Sequence, residues 1–176
     1  PQNRTAGLDR VTASFADAGV RLVQMRRHDL DDESYMDLAQ ALYRRCREHG
    51  VLMLINRDLH IAQQLEADGL HLPAQRLSRL EGPMERYGWV GVSCHSAQCL
   101  SLAAAREADF AVLSPVRWTP SHPDRQPMGW GVFQELAVQA QLPVYALGGV
   151  GPEDVYTARG HGGQGVAAIR GLLADT

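Results

Sequence analysis

Residues 144–150 read Val144-Tyr145-Ala146-Leu147-Gly148-Gly149-Val150, a short apolar strand that runs directly into two residues without a Cβ. Such a pair lets backbone N–H groups approach an anion closely. What it says about the fold depends on its place in the chain. Upstream lie the strand-like runs Arg21–Met25, Leu52–Asn56, Gly69–Leu72, Trp89–Cys94 and Phe110–Ser114, and Gly165–Ile169 follows. The glycine pair therefore ends the penultimate strand. In an open Rossmann-type sheet the glycine-rich turn follows the first strand. In a (β/α)₈ barrel a phosphate is often held by the loops after strands seven and eight. The position favours the barrel.

The stretches between these runs support the same architecture. Most of the runs are near-continuous hydrophobic segments, as expected of parallel strands buried on both faces. The clearest helical segment spans about Asp32 to His49, where Tyr35, Leu38, Ala39 and Leu42 form one apolar stripe opposite Asp37, Arg44, Arg45 and Glu48. Gly50 stops it. Ser96 ahead of Ala97–Arg106 and Pro152 ahead of Glu153–Ala158 read as helix starts. Leu8 to Ala18 opens the chain as a helix, Gly82 to Gly88 is turn-rich, and Pro115 to Gly131 is a long loop with four prolines. Strict βα alternation means an α/β protein with a parallel sheet. The expectation is a single domain over residues 1–176, a (β/α)₈ TIM barrel whose first strand lies upstream of Pro1. Without that strand the barrel would carry exposed edges.

Composition removes several function classes. A formal charge of −3 offers no electrostatic attraction for nucleic acid or an anionic membrane. Arg44, Arg45 and Arg47 read as a solvated helix face. No apolar run approaches the roughly 20 residues of a membrane helix, and no signal peptide is visible. Cys46, Cys94 and Cys99 lack metal-ligand spacing and suit a reducing cytoplasm. Cys94 and His95 are strand neighbours and point to opposite faces, so they are not read as a dyad.

The second half of the expected phosphate site is Ala167-Ala168-Ile169-Arg170-Gly171, a strand end that turns directly into a helix. Free N–H groups and the helix dipole favour negative charge there. Arg170 would add a charge-assisted contact. Gly148, Gly149 and Arg170, with Ile169 at the turn, are accordingly the expected phosphate-binding residues.

Further motifs occur in order along the chain. Val23-Gln24-Met25-Arg26-Arg27-His28 presents Gln24, Arg26 and His28 at alternate positions, on the same side of a strand end. Leu54-Ile55-Asn56, Ala67-Asp68-Gly69-Leu70-His71-Leu72 and Gly91-Val92-Ser93-Cys94-His95-Ser96 follow. Ser114-Pro115-Val116 then leads to Thr119-Pro120-Ser121. With the Gly148-Gly149 and Ile169-Arg170 turns, this series resembles the thiamin-phosphate synthase/TenI family over nearly the whole chain. The family's synthase joins a pyrimidine pyrophosphate to a thiazole phosphate, releasing pyrophosphate with help from Mg²⁺; TenI-type members act as thiazole tautomerases. The resemblance implies that Gln24, Arg26, Asn56 and Ser93 line the pyrimidine side. It implies that Thr119, Ser121, Gly149, Ile169 and Arg170 hold the thiazole phosphate.

The sequence departs from the family's pattern at its charged machinery. Arg57 and Arg76 stand where the family has its two metal-binding aspartates, and His28 and His122 stand where it has lysines. Arginine cannot ligate Mg²⁺. The expectation is a domain that binds a small phosphorylated thiazole or thiamin compound, with Mg²⁺-dependent pyrophosphate displacement impaired. No cofactor is expected, and Mg²⁺ enters only if synthase activity is retained. His28 and His122 are the candidate acid/base residues, His95 is a further one, and His71 is read as structural. Barrels without these acids also resemble the C-terminal domain of some Nudix-fused bacterial proteins. The alternatives are therefore an accessory or sensor domain with a fused or partner Nudix domain, or an active synthase.

Overall fold

The computed structural model describes residues 12, 15–79, 87–120 and 123–169. In chain order it contains β1 (Leu22–Met25), α1 (Asp32–Glu48), β2 (Leu52–Ile55), α2 (Leu59–Gln64), β3 (Gly69–Leu72), α3 (Ala74–Ser78) and β4 (Trp89–Cys94). These are followed by α4 (Ala97–Ala105), β5 (Phe110–Leu113), α5 (Gly129–Gln139), β6 (Val144–Leu147), a 3₁₀ turn (Pro152–Asp154), α6 (Val155–Gly160) and β7 (Gly165–Ala167). Every expected strand is present, several of them a residue or two shorter. The proline-rich loop after β5 yields to α5 at Gly129, slightly earlier than expected. Residues 12 and 15–17 are helical; the rest of the expected opening helix, most of the Gly82–Gly88 turn, and Ser121, His122 and Arg170 lie outside the described residues.

The chain divides into two compact units, with the boundaries inside β3 and β4. The first holds the described residues up to His71 together with 87–90. Its strands are parallel, with Leu22 beside Leu52, Met25 beside Ile55 and Leu54 beside Gly69. Met53, Leu54 and Ile55 are wholly buried, so β2 is covered on both faces, the condition that selects continuous apolar strands. Tyr35, Ala39 and Cys46 of α1 pack with Met25, Met53, Ile55, Ile61 and Leu70. The Asp31 carboxylate caps α1 by accepting from the Ser34 N–H at 2.7 Å, with Asp32 and Glu33 in its first turn and Arg45 and Arg47 in its last. Each charge complements the helix dipole.

The second unit holds the remaining strands, again parallel, with Gly91 beside Phe110, Ala111 beside Val144 and Tyr145 beside Gly165. Leu77, Val92, Leu113, Phe133 and Val144 are among its buried residues. The parallel α/β class is thus as expected. The strands number seven among the described residues, against the eight of a closed barrel.

Candidate functional site

In the first unit the ends of β1 and β2 bring polar groups together. Beyond Met25, the exposed Arg26 donates from Nε to Nε2 of His28 at 3.1 Å. That bond requires an unprotonated Nε2, so it holds His28 as the Nδ1–H tautomer and engages the lone pair a base would use. Gln24 is exposed on β1, while Asn56, just past β2, is 6% exposed. The Asn56 N–H donates to the Met25 carbonyl at 3.0 Å. An amide offers a ligand two N–H donors and a carbonyl acceptor. His71, on β3, is 2% exposed; burial, with the Arg26 cation adding, pushes its pKa down to about 4.

Arg57 follows Asn56, and its guanidinium is engaged within the protein. Nη2 meets Asp32 Oδ1 at 2.6 Å, and Nη1 donates to the carbonyls of Leu30 and Arg27 at 3.1 and 3.4 Å. The charge also lies 4.7 Å from the Tyr35 ring centre, a cation–π distance. Arg57 therefore ties the end of β2 to the loop after β1 and to the first turn of α1.

In the second unit the corresponding strand ends carry Ser93, His95, Ser114, Gly148, Gly149 and Ile169. His95 Nδ1 lies 2.8 Å from the Ser114 carbonyl and 3.3 Å from Ser114 Oγ. A carbonyl can only accept, so Nδ1 carries the proton and Nε2 is left as the acceptor. Gly148 and Gly149 have φ of +95° and +65°, and neither has room for a side chain. A Cβ at Gly148 would lie 2.8 Å from Pro115 Cα, and one at Gly149 would strike the Trp118 carbonyl. The glycines thus let the loop after β5 lie on the end of β6, where the Val116 and Arg117 N–H groups donate to Leu147 and Gly148 at 2.9 and 2.8 Å. Thr119 follows in that loop, partly buried, and Ile169 is 58% exposed just beyond β7.

An ion pair locks the same loop. Arg117 engages Asp154 through two N–H groups at 3.0 and 2.9 Å, and Asp154 also accepts from the Gly151 N–H at 3.1 Å. Neither this pair nor the His95–Ser114 contact is visible in the sequence, since the partners lie 37 and 19 positions apart. Proline at the start of the 3₁₀ turn was the only local signal near Asp154.

The donor set does not fit a resident Mg²⁺, which needs several hard oxygen ligands. Arg57 and Arg76 bring positive charge to the two positions where the resemblance leads one to look for carboxylates. Asp58, next along, is the N-cap residue of α2. No group of three or more His, Cys, Asp or Glu able to hold a metal forms among the described residues. No helix of the described residues is long and apolar enough to cross a membrane.

Comparisons with known proteins agree with one another. A family model described as thiamine monophosphate synthase matches residues 2–172. "Putative thiamine-phosphate synthase 2" of Aquifex aeolicus (strain VF5) is 38% identical over 156 residues, covering 88% of this chain and 84% of the relative. "Thiamine biosynthesis bifunctional protein ThiM/ThiE" of Symbiobacterium thermophilum is 32% identical over 93% of this chain, which matches 35% of that longer protein. Among solved structures, a thiamine phosphate pyrophosphorylase from Pyrococcus furiosus superposes with a TM-score of 0.75 at 19% identity, covering 92% of this chain and 78% of that one. That identity speaks for the fold alone; the family model and the Aquifex relative speak for descent. The chain belongs to the thiamine monophosphate synthase family.

Proposed function

We propose that the chain is one domain, a (β/α)₈-type barrel in its complete form, that binds a phosphorylated thiazole or thiamin compound at the C-terminal ends of its strands. In this reading Mg²⁺-dependent displacement of pyrophosphate is impaired. The observation that carries it is the Asn56–Arg57 step, where a nearly buried asparagine adjoins a guanidinium held by Asp32, two carbonyls and a ring. The amide can pair with a heterocycle edge. The guanidinium occupies the position of a metal-binding acid and supplies no metal ligand.

Arg26 and Gln24 serve the ring or its attached phosphate from β1, and Ser93 from β4. Thr119, Ser121, Gly148, Gly149, Ile169 and Arg170 serve the phosphate of the thiazole. Where a proton is moved, as in a tautomerisation, His95 Nε2 is the better base, because His28 Nε2 accepts from Arg26; His122 keeps its candidacy from the sequence. A fused or partner domain belongs to the same reading, since the matching region of the Symbiobacterium protein sits in a longer bifunctional chain.

The test is Arg170→Ala in titration calorimetry with thiamin phosphate. Loss of one charge-assisted hydrogen bond is expected to weaken binding by about 2 kcal/mol, roughly thirtyfold. Unchanged affinity would remove the end of β7 from the site. A second reading, an active synthase, is favoured by the name and 38% identity of the Aquifex relative. It requires turnover that depends on Mg²⁺ despite Arg57 and Arg76, with Asp58 as the natural substitute ligand. Asp58→Asn would then abolish the Mg²⁺ dependence.

A further inference from the structure

Two of the three cysteines meet where β4 passes into α4. Cys94, the last residue of β4, is wholly buried, and Cys99 lies in the first turn of α4 and is partly exposed. Both are free thiols, and their sulfurs are 3.0 Å apart. Cys46, the third, lies on α1 and is buried in the cluster that holds Met53 and Ile55 of β2. Spacing in the sequence does not reveal that a strand end and a helix start bring two of them into contact.

We propose that Cys94 and Cys99 form a reversible oxidation site that closes to an intramolecular disulfide on reaction with a hydroperoxide. The geometry sets their roles. Cys99 can be reached from solvent and Cys94 cannot, so Cys99 meets the oxidant first and Cys94 resolves the product. Cys99 also sits at the positive end of α4, where its N–H donates to the Ser96 cap at 3.3 Å, a setting that favours a thiolate. The contact with the Cys94 sulfur, the larger cause, and a hydrogen bond from the His95 backbone draw the Cys99 pKa down to about 7. The same pairing, with burial, pushes Cys94 upward, so the proton shared by the pair stays on Cys94.

In the first step the Cys99 thiolate attacks the terminal O–H oxygen of the peroxide, the O–O bond breaks, and alkoxide (hydroxide from hydrogen peroxide) leaves as Cys99 becomes a sulfenic acid. In the second, the Cys94 sulfur attacks the Cys99 sulfur, the S–O bond breaks, and the Cys94 proton leaves with the hydroxyl as water. The two thiols are oxidised by two electrons and the peroxide is reduced by two. The sulfurs need to close from 3.0 Å to about 2 Å, a movement within reach of a helix end. This chemistry is independent of which ligand the strand ends bind.

The full chain, reduced and then treated with a small excess of hydrogen peroxide, is unfolded and alkylated at free thiols, and its intact mass is measured. The reduced protein should take up three alkyl groups, the oxidised protein one, and the oxidised protein treated with dithiothreitol three again. The tryptic peptide spanning residues 87–106, which holds both cysteines, should be lighter by two hydrogen atoms after oxidation. Cys94→Ser should instead leave a Cys99 sulfenic acid that a 1,3-dione reagent captures. Three alkyl groups after peroxide would overturn the proposal. So would Cys99 sulfinic acid beside an alkylated Cys94 in the unaltered chain.

Discussion

Acidification from about pH 7 to below about pH 4 is expected to lower the folding stability by about 3 kcal/mol through His71 alone. Its ring is almost fully buried in β3, and burial together with Arg26 holds its pKa at about 4, against 6.5 for an ordinary histidine. The unfolded chain takes up the proton as the pH drops through 6.5, whereas the folded chain takes it up only near 4. Between those values the unfolded state binds more protons, so stability falls as the pH falls. Stability is complete above the unfolded value, and the loss is complete below the folded one. Urea unfolding of the unaltered chain and of His71→Met at steps across this window isolates the effect from carboxylates that titrate nearby. The His71→Met curve should lack most of the decline. Parallel curves would mean that His71 is not held neutral by burial.

Gly149→Ala is expected to cost about 3 kcal/mol and to disable phosphate binding together with stability. At φ +65° an L-residue is strained, and the new Cβ would lie 2.7 Å from Arg117 Cβ while striking the Trp118 carbonyl. Backbone cannot yield as a flexible side-chain end can. The loop after β5 must therefore lift from the end of β6, which breaks the Val116 and Arg117 hydrogen bonds and displaces Thr119. Gly131→Ala is the control: it lies in α5 with nothing within 4 Å of the added atom. There alanine should be neutral or stabilising by up to about 1 kcal/mol. Urea midpoints for both variants, with calorimetric titration of thiamin phosphate, check the contrast. Equal stability for the two would show that the glycine pair is not needed for close packing.

The strands were legible because burial on both faces demands continuous apolar runs, and Met53-Leu54-Ile55 and Ala111-Val112-Leu113 meet that demand. α1 was legible because Tyr35, Leu38, Ala39 and Leu42 repeat one stripe and Gly50 stops it. α2 and α3 were not delimited. They have six and five residues and no side-chain cap, too few for a helical period to stand out. The start of α5 was hidden by a proline-rich approach and by two glycines within its first turn.

The candidate site residues stand out in the sequence as motifs in order, but the contacts they make do not. Arg57 was visible as a departure from the family's pattern; its pairing with Asp32, 25 positions upstream, was not. The same holds for Arg117 with Asp154 and His95 with Ser114. Long-range contacts of this kind leave no periodicity, because each needs only one suitable residue at each end.

The most direct test of the account is mass-spectrometric detection of thiamin phosphate. The folded protein would be incubated with thiazole phosphate, pyrimidine pyrophosphate and Mg²⁺, beside a calorimetric titration of thiamin phosphate itself. The account predicts that thiamin phosphate binds and that no product accumulates beyond a single turnover, with or without Mg²⁺. Product accumulating over many turnovers, and only with Mg²⁺, would contradict it: the protein would be a working synthase that tolerates arginine where the family's acids stand.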